Sequence, residues 1–331
     1  MARIGRRRGK APAPVHYGAL SSPQVFDMGL SGIRSGGAGA RTFMQIDVFT
    51  TRAGYGNALA VVLDGDGLAE ATMQRFARWT NLSECVFVLT PTTRDADLRV
   101  RIFTPRQELP FAGHPTIGAV HAMLGAGRLP RDVTSIRLEC AAGVLPVRVE
   151  SAERAVRISI RAPRARFAPR TSSLTERVAA AIGIAPKRAP APCIIDVGAI
   201  WVIAELDDAS VVRVLQPHMA NVADLTTREG AVGLAVFGRE AASDVAIAVR
   251  AFCPADGVPE DPVTGSANAA IGAFLLESGG LAGIGARYVA SQGREVGRDG
   301  RVEVDIDTAS GDVAIGGTAV TCIEGSLRFD F

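Results

Sequence analysis

Short runs of alternating apolar and polar residues fill most of the chain, and two longer, almost wholly apolar stretches interrupt them. Met44–Phe49 alternates as a strand, Gly54-Tyr55-Gly56-Asn57 reads as a turn, and Ala58–Leu63 is apolar enough for a strand buried on both faces. Asp64-Gly65-Asp66-Gly67 then breaks the chain. Leu68, Met73 (or Thr72), Phe76 and Ala77 recur at helical spacing up to Thr80. Glu84–Leu89 and Leu98–Phe103 predict strands. Thr116 to about Leu124 predicts a helix stopped by Gly125 and Gly127, and Ser135–Cys140, Val144–Val149 and Val156–Ile160 predict a strand meander.

Residues 161–172 are rich in Arg and Pro and read as a linker. Ser173-Leu174-Thr175-Glu176 has the form of a capping box, opening a helix that ends at Gly183. Ile194–Leu206 is strand-like, Ala209–Leu215 a short helix, and Val232–Phe237 and Val245–Phe252 strands. Ser266 is placed to cap a helix running through Ala270, Phe274 and Leu275 to Gly279-Gly280, and the tail after Ala286 is short strands with glycine turns. The helices near Thr116 and Ser266 are apolar on most faces, as helices enclosed by a sheet should be. The expected class is α+β: two halves, each a strand-rich sheet wrapped around a central helix, rather than a doubly wound parallel sheet. No Gly-x-Gly-x-x-Gly leads from a strand into a helix, which disfavours a dinucleotide site.

The two halves read as copies. Arg101-Ile102-Phe103-Thr104-Pro105 and Arg250-Ala251-Phe252-Cys253-Pro254 begin 149 residues apart, and in each a second proline, Pro110 or Pro259, follows nine residues after the arginine. Ile46-Asp47-Val48 matches Ile195-Asp196-Val197 at the same offset, and Val86-Phe87 matches Val236-Phe237 at 150. Matches at nearly one offset argue for a duplicated chain. Clefts between facing halves are common small-molecule sites, so His114 and Asp261 become candidates for opposite walls of one.

Composition narrows the picture. The 331 residues suffice for two domains, 47% hydrophobic and 21% charged content is globular, and no apolar run approaches the ~20 residues of a membrane helix. Residues 1–43 hold seven basic residues and one acid, so the net +2 of the whole leaves −4 for residues 44–331. That mildly acidic remainder has no basic stripe, which argues against nucleic acid as partner. Residues 1–43 lack apolar periodicity and are expected to be a disordered leader, or to follow a start codon placed too early. Arg6-Arg7 lacks the apolar segment of an export signal, and a transit peptide is compositionally open but unsupported. Residues 44–331 are expected to fold without them. Five scattered cysteines without a Cys-x-x-Cys pair fit reduced thiols in the cytoplasm, and four histidines without a ligand spacing make a metal unexpected.

Three residues stand out chemically. Glu84 lies at the mouth of an apolar strand beside Val86, Phe87 and Leu89. Buried, its carboxyl would titrate high and could both take and give a proton; solvated, it would be an ordinary strand start. His114 lies between Gly113 and Pro115 before a helix, where a tight backbone and free N–H groups suit an anion; it could equally be an idle helix-start residue. Asp261, with Thr264-Gly265-Ser266 after it, occupies what spacing suggests is the mirror position. Thr264-Gly265-Ser266 could cradle a carboxylate or phosphate at the helix start, although Asp261 by itself is also a common turn residue. His121, His218, Cys85 and Cys253 read as structural.

These segments resemble the phenazine-biosynthesis PhzF-like isomerases, which share the diaminopimelate epimerase fold. The resemblance rests on Ile46–Thr50, Gly56-Asn57, Asn81–Phe87, Arg101–Pro105, Glu108–Pro115, Glu260–Ala267, and Gln292-Gly293 with Gly297-Arg298, in the family's order from Met44 nearly to the end of the chain. It implies paired barrels, with a first half over 44–165 completed by the C-terminal strand and a second over 166–331. The active site would lie between them. It implies Glu84 as proton-shuttling acid/base, His114 and Asp261 holding the substrate's polar groups and sharing protons, and the backbone of Gly113, Gly265 and Ser266 on the substrate carboxylate. It implies no cofactor, no metal and a homodimer. The family's best-known reaction isomerises trans-2,3-dihydro-3-hydroxyanthranilate, moving a proton across a conjugated ring. Phenazine enzymes continue Pro-Ser after the position of Arg298, where this chain has Asp299-Gly300, which puts that particular substrate in doubt.

Two other functions are open. A racemase or epimerase on this fold would use a cysteine pair, and neither Cys85 nor Cys253 stands beside a helix start in the sequence. A non-catalytic small-carboxylate-binding protein would not exchange a substrate proton with D2O, whereas an enzyme would.

Overall fold

Strands that alternate, as over Ser135–Cys140 and Gly300–Asp307, bury one face, and strands apolar nearly throughout, as over Ile247–Cys253, bury both; the result is one continuous sheet curled around two helices. The computed structural model describes residues 39–329, apart from 153–154, 188 and 242–243; most of the expected leader lies outside it. The first part of the chain forms β1 (Ala40–Val48), β2 (Asn57–Val62), α1 (Glu70–Thr80), β3 (Glu84–Leu89), β4 (Leu98–Phe103), β5 (Glu108–Leu109), α2 (Gly113–Gly125), β6 (Ser135–Cys140), β7 (Gly143–Ala152) and β8 (Ala155–Arg161). The second part forms β9 (Arg166–Phe167), α3 (Ser172–Ile182), β10 (Cys193–Asp196), β11 (Ile200–Glu205), α4 (Ala209–Val214), α5 (Met219–Glu229), β12 (Gly233–Arg239), β13 (Ile247–Cys253), β14 (Val258–Asp261), α6 (Gly265–Glu277), β15 (Arg287–Gln292), β16 (Gly300–Asp307), β17 (Asp312–Gly317) and β18 (Ala319–Arg328).

Hydrogen-bonded neighbours run β18, β1, β2, β3, β4, β6, β7, β8, then β17, β16, β15, β13, β12, β11, β10, β9. The β8–β17 pair is the seam. Each side has the same two parallel pairings, β2–β3 with β4–β6 and β11–β12 with β13–β15. Each encloses one helix of 13 residues, α2 or α6, with no acidic residue in its first turn and no basic residue in its last. That is the expected pair of pseudo-symmetric halves. Their side chains interleave with the inward rows of the strands in one apolar core. Burying a ring such as Phe274 or Phe237 there contributes roughly 1.5–3 kcal/mol. Amphipathic helices cover the outside: α1 lays Met73 and Phe76 on Phe87 and Phe103, while Leu174, Val178, Val212, Val222 and Leu225 of α3, α4 and α5 pack on the other half.

Several boundaries differ from expectation. The first strand starts at Ala40, ahead of Met44, because Ala40–Phe43 pair with Gly325–Arg328. The expected linker contains β9, which pairs with β10. The cap of α3 is Thr171, whose hydroxyl accepts the Leu174 N–H at 3.2 Å, not Ser173. Ile194–Leu206 is a hairpin, and α5 was not anticipated. Both long helices open on glycine, at Gly113 and Gly265, so Thr264 rather than Ser266 is the residue before the second.

Register also corrects the internal alignment. Phe87 pairs with Arg101 and Val236 with Arg250, so 149 holds there and the Val-Phe match at 150 is one residue out of register. Leu109 pairs with Ile102 as Asp261 pairs with Ala251. The turn in the second half is therefore three residues longer, and the helix starts are 152 apart. The mirror of His114 is Ser266, and the mirror of Asp261 is Leu109.

An arginine closes each of these turns. Arg101 Nε and Nη2 donate to the two Glu108 oxygens at 2.7 and 2.6 Å, and Arg250 does the same to Glu260 at 2.9 and 2.7 Å. Arg250 and Glu260 are each 7% exposed, and Arg250 also donates to the Val212 and Leu215 carbonyls. Arg250→Ala leaves a buried carboxylate unpaired and should cost about 3–5 kcal/mol. Arg101→Ala, at the more open pair, should cost roughly half of that or less. Urea unfolding midpoints of the two variants compare them, and equal losses would contradict this account.

Candidate active site

Glu84 is the first residue of β3, level with Leu59 of β2, and its backbone direction is fixed by that parallel pairing. His114 is the second residue of α2. The two meet: His114 Nε2 lies 3.3 Å from Glu84 Oε2, with side-chain exposures of 7% and 16%. The contact is not aligned as a hydrogen bond, and both atoms are buried without a hydrogen-bond partner. Burial pushes the Glu84 carboxyl up to about 8, with the negative charge of Asp261 adding to it, and pushes His114 down to about 3. Near neutrality the histidine is uncharged and the carboxyl mostly so. This is a pair of underused polar groups rather than an ion pair.

Asp261 closes β14 from the other half. Burial raises it to about 6 against the lowering effect of bonds from Thr264 and Asn57. Thr264 Oγ1 donates to its Oδ2 at 2.6 Å and Asn57 Nδ2 to its Oδ1 at 3.1 Å. Asn57 also donates to the Val263 carbonyl at 2.8 Å and accepts from Ser83 Oγ, the neighbour of Glu84, at 3.4 Å. One amide thus ties the acid of the first half to the acid of the second. The turn before Asn57 is held from below by Asp47 Oδ2, which accepts the Gly54 and Gly56 N–H groups at 2.6 and 3.2 Å.

Gln292 supports the second loop. Its Oε1 accepts from the Thr264 N–H and from Asn268 Nδ2, both at 3.0 Å, and its Nε2 donates to the Asp261 carbonyl at 3.0 Å and to Thr264 Oγ1 at 2.9 Å. The Thr264 N–H and hydroxyl are therefore spent inside the loop. The cradle expected of Thr264-Gly265-Ser266 reduces to Gly265 and Ser266, whose first-turn N–H groups have no acceptor among the described residues. The start of α2 faces the start of α6: a Cβ on Gly265 would lie 3.8 Å from the His114 backbone nitrogen. Two positive helix ends converge on one place, a natural seat for an anion.

Glu84, His114, Asp261, Gly113, Gly265 and Ser266 are thus gathered, and Thr264 stands behind them. Asn57, Gln292 and Asn268 were missed as functional residues. Burial of 1%, 1% and 0% marks them in the fold, but an isolated amide leaves no periodic trace in sequence. A groove of about 840 Å³ lies elsewhere, on the outer face of the seam, among paired charges such as Arg157 with Glu303. None of these site residues lines it.

Residues 46–325 match the family model of the phenazine biosynthesis-like proteins, PhzC-PhzF. The chain belongs to the PhzF family. An uncharacterized isomerase of Deinococcus radiodurans is 32% identical over 295 residues, 86% of this chain and 93% of its own. Antisense-enhancing sequence 1 of Schizosaccharomyces pombe is 35% identical over 291 residues, 86% of this chain and 97% of its own. The crystal structure of a PhzF-family phenazine biosynthesis protein from Bacillus anthracis superposes with a TM-score of 0.75 at 28% identity, covering 88% of this chain and 99% of that one. Several PhzF relatives are named isomerases, and the chain is an isomerase of that family with the expected epimerase-like fold. Among the described residues no helix is long and apolar enough to cross a membrane.

The buried carboxyl sets a pH dependence of stability. Unfolded, Glu84 loses its proton near 4.5; folded, at about 8. Between these values the folded state holds a proton that the unfolded state has released, so this residue's contribution is present below 4.5 and is lost as pH rises toward 8. Glu84→Gln removes that slope. The melting temperature of the variant should gain on that of the wild type from about pH 5 to about pH 8; parallel curves would mean that Glu84 is not buried as described.

Proposed function

We propose that this PhzF-family protein moves a proton on a small carboxylate-bearing substrate by general acid/base catalysis, without a cofactor. The observation that carries the reading is the misaligned contact of Glu84 and His114, two buried polar atoms left without partners close to where the helix starts converge. Such a cost is retained where a ligand completes the bonding.

Ionised Glu84 takes a proton from a substrate carbon activated by conjugation. The C–H electron pair spreads into the conjugated system, and the new carboxylic acid returns the proton at another carbon, restoring the carboxylate. His114 and Asp261 orient the substrate's polar groups and share protons with it, while the N–H groups of Gly113, Gly265 and Ser266 hold its carboxylate. With a pKa of about 8, roughly a tenth of Glu84 is ionised at pH 7, enough for a base whose conjugate acid must also donate. The cysteine-pair racemase is disfavoured because burial pushes the Cys85 thiol up to about 12 and Cys253 well above 9, leaving neither able to accept a proton near neutrality.

Metabolites screened for carbon-bound proton exchange in D2O identify the substrate. On it, Glu84→Gln should lower turnover by ~10²–10⁴-fold with substrate binding nearly intact, because the amide keeps the shape but carries no transferable proton. His114→Asn and Asp261→Asn should raise KM and lower kcat together. Wild-type turnover in Glu84→Gln would defeat the assignment. Because the free enzyme must have Glu84 ionised, kcat/KM should climb with pH and level off above about 8; a profile falling through that region would reverse the order of acid and base.

A further inference from the structure

Strand register lets the halves be overlaid residue by residue. Ile46 faces Leu59 and Ile195 faces Trp201 in the opening hairpins. Leu59 lies level with Glu84, and Trp201 with Gly233, in the parallel pairs. His114 and Ser266 are the second residues of the two long helices. The contact between Glu84 and His114 therefore has a counterpart, in which Gly233 stands for the acid and Ser266 for the histidine. Trp201 takes the space of the missing carboxyl. A Cβ on Gly233 would lie 2.5 Å from the indole Cζ3 and 2.7 Å from Cys253 Sγ, so no acid fits. The indole Nε1–H instead reaches Ser266 Oγ at 3.1 Å.

Indole nitrogen only donates, whereas a hydroxyl has one proton and two acceptor sites. Ser266 Oγ must accept here, and its own proton must go elsewhere. Ser266 makes no other side-chain hydrogen bond among the described residues. Standing in the first turn, it has no helical carbonyl four residues behind it to take that proton. The proton is free beside the unpaired N–H groups where the two helix starts converge.

We propose that Trp201 is a positioning residue of the carboxylate subsite: by donating to Ser266 Oγ, it commits the Ser266 hydroxyl to donate to a substrate carboxylate at the start of α6. This rests on the proton-transfer reading only for where the substrate lies. Its test uses a carboxylate that is not turned over, so it can fail while the Glu84 assignment stands, and the reverse.

Trp79 and Trp201 are the only tryptophans, and Trp79 is 75% exposed on α1. In the full chain carrying Trp79→Phe, emission reports Trp201 alone. Benzoate should shift it saturably and benzamide far less; no shift with benzoate overturns the proposal. Calorimetric titration then compares the unaltered chain with Trp201→Phe, Ser266→Ala and the double variant. Each single variant should bind benzoate about 10-fold more weakly with benzamide little changed, and the double should be no weaker than Ser266→Ala, since Trp201 acts through Ser266. A Trp201 that only packs would weaken both probes alike. Losses that add, or a Trp201→Phe protein with unchanged benzoate affinity, overturn the assignment. Should Trp201→Phe not fold, Ser266→Ala in the Trp79→Phe chain decides: it should shift the resting Trp201 emission and abolish the preference for benzoate over benzamide, and a preserved preference overturns it.

Discussion

Ile315 is wedged between two helix starts, and the site depends on what stands on either side of it. A Cβ on Gly113 would come within 2.9 Å of its Cδ1, and one on Gly265 within 2.5 Å. Glycine at both positions lets the two helices start against one side chain without displacing it, and that approach brings their positive ends to one point. Ile315 is itself fixed by the seam, where it pairs with Ile160. Beneath the start of α6 sits Phe49, fully buried at φ 66° with its N–H donating to the Thr318 carbonyl at 2.8 Å. A bulky residue in the left-handed region costs on the order of 1–2 kcal/mol. The strain is held by packing on all sides.

On this symmetric frame the chemistry is unsymmetric. Matched Arg–Glu clamps brace both turns before the helices, and although one turn is three residues longer, Asp261 stands at the position that Leu109 holds in the first half, so a change of residue and not of length supplies the second acid. One half supplies the misaligned acid and histidine. The other supplies an aspartate already satisfied by Thr264 and Asn57, and a serine held by an indole. Division of labour by small local change, with the barrel scaffold kept, agrees with function residing in sites rather than in folds.

The polar segments around Glu84, His114 and Asp261 were legible because charged groups among apolar neighbours are costly to bury and so stand out. The enclosing sheets were legible from two helices without a polar face. The mirror relation of His114 and Asp261 was misread because counting from arginine to proline cannot detect residues inserted between them. The helix over Met219–Glu229 escaped because Thr226, one of the three residues buried within it, is polar, so the apolar pattern shows only Val222 and Leu225 of the i, i+3, i+4 set that marks α1. Asn57, Gln292 and Trp201 hydrogen-bond partners distant in sequence, and no local pattern encodes such a partnership.

The outermost strand of the first half, β18, follows every strand of the second half in the chain. β18 lies against β1 as the edge strand of the sheet around α2, so without residues 319–328 the half that carries Glu84 and His114 lacks its outer strand. Closing so long a loop is entropically demanding and slow. On a ribosome, the later-encoded half has its strands in hand before the earlier one receives its outer strand. A truncation at Ala319 would therefore strip the outer strand from the half whose other strands come first in the chain.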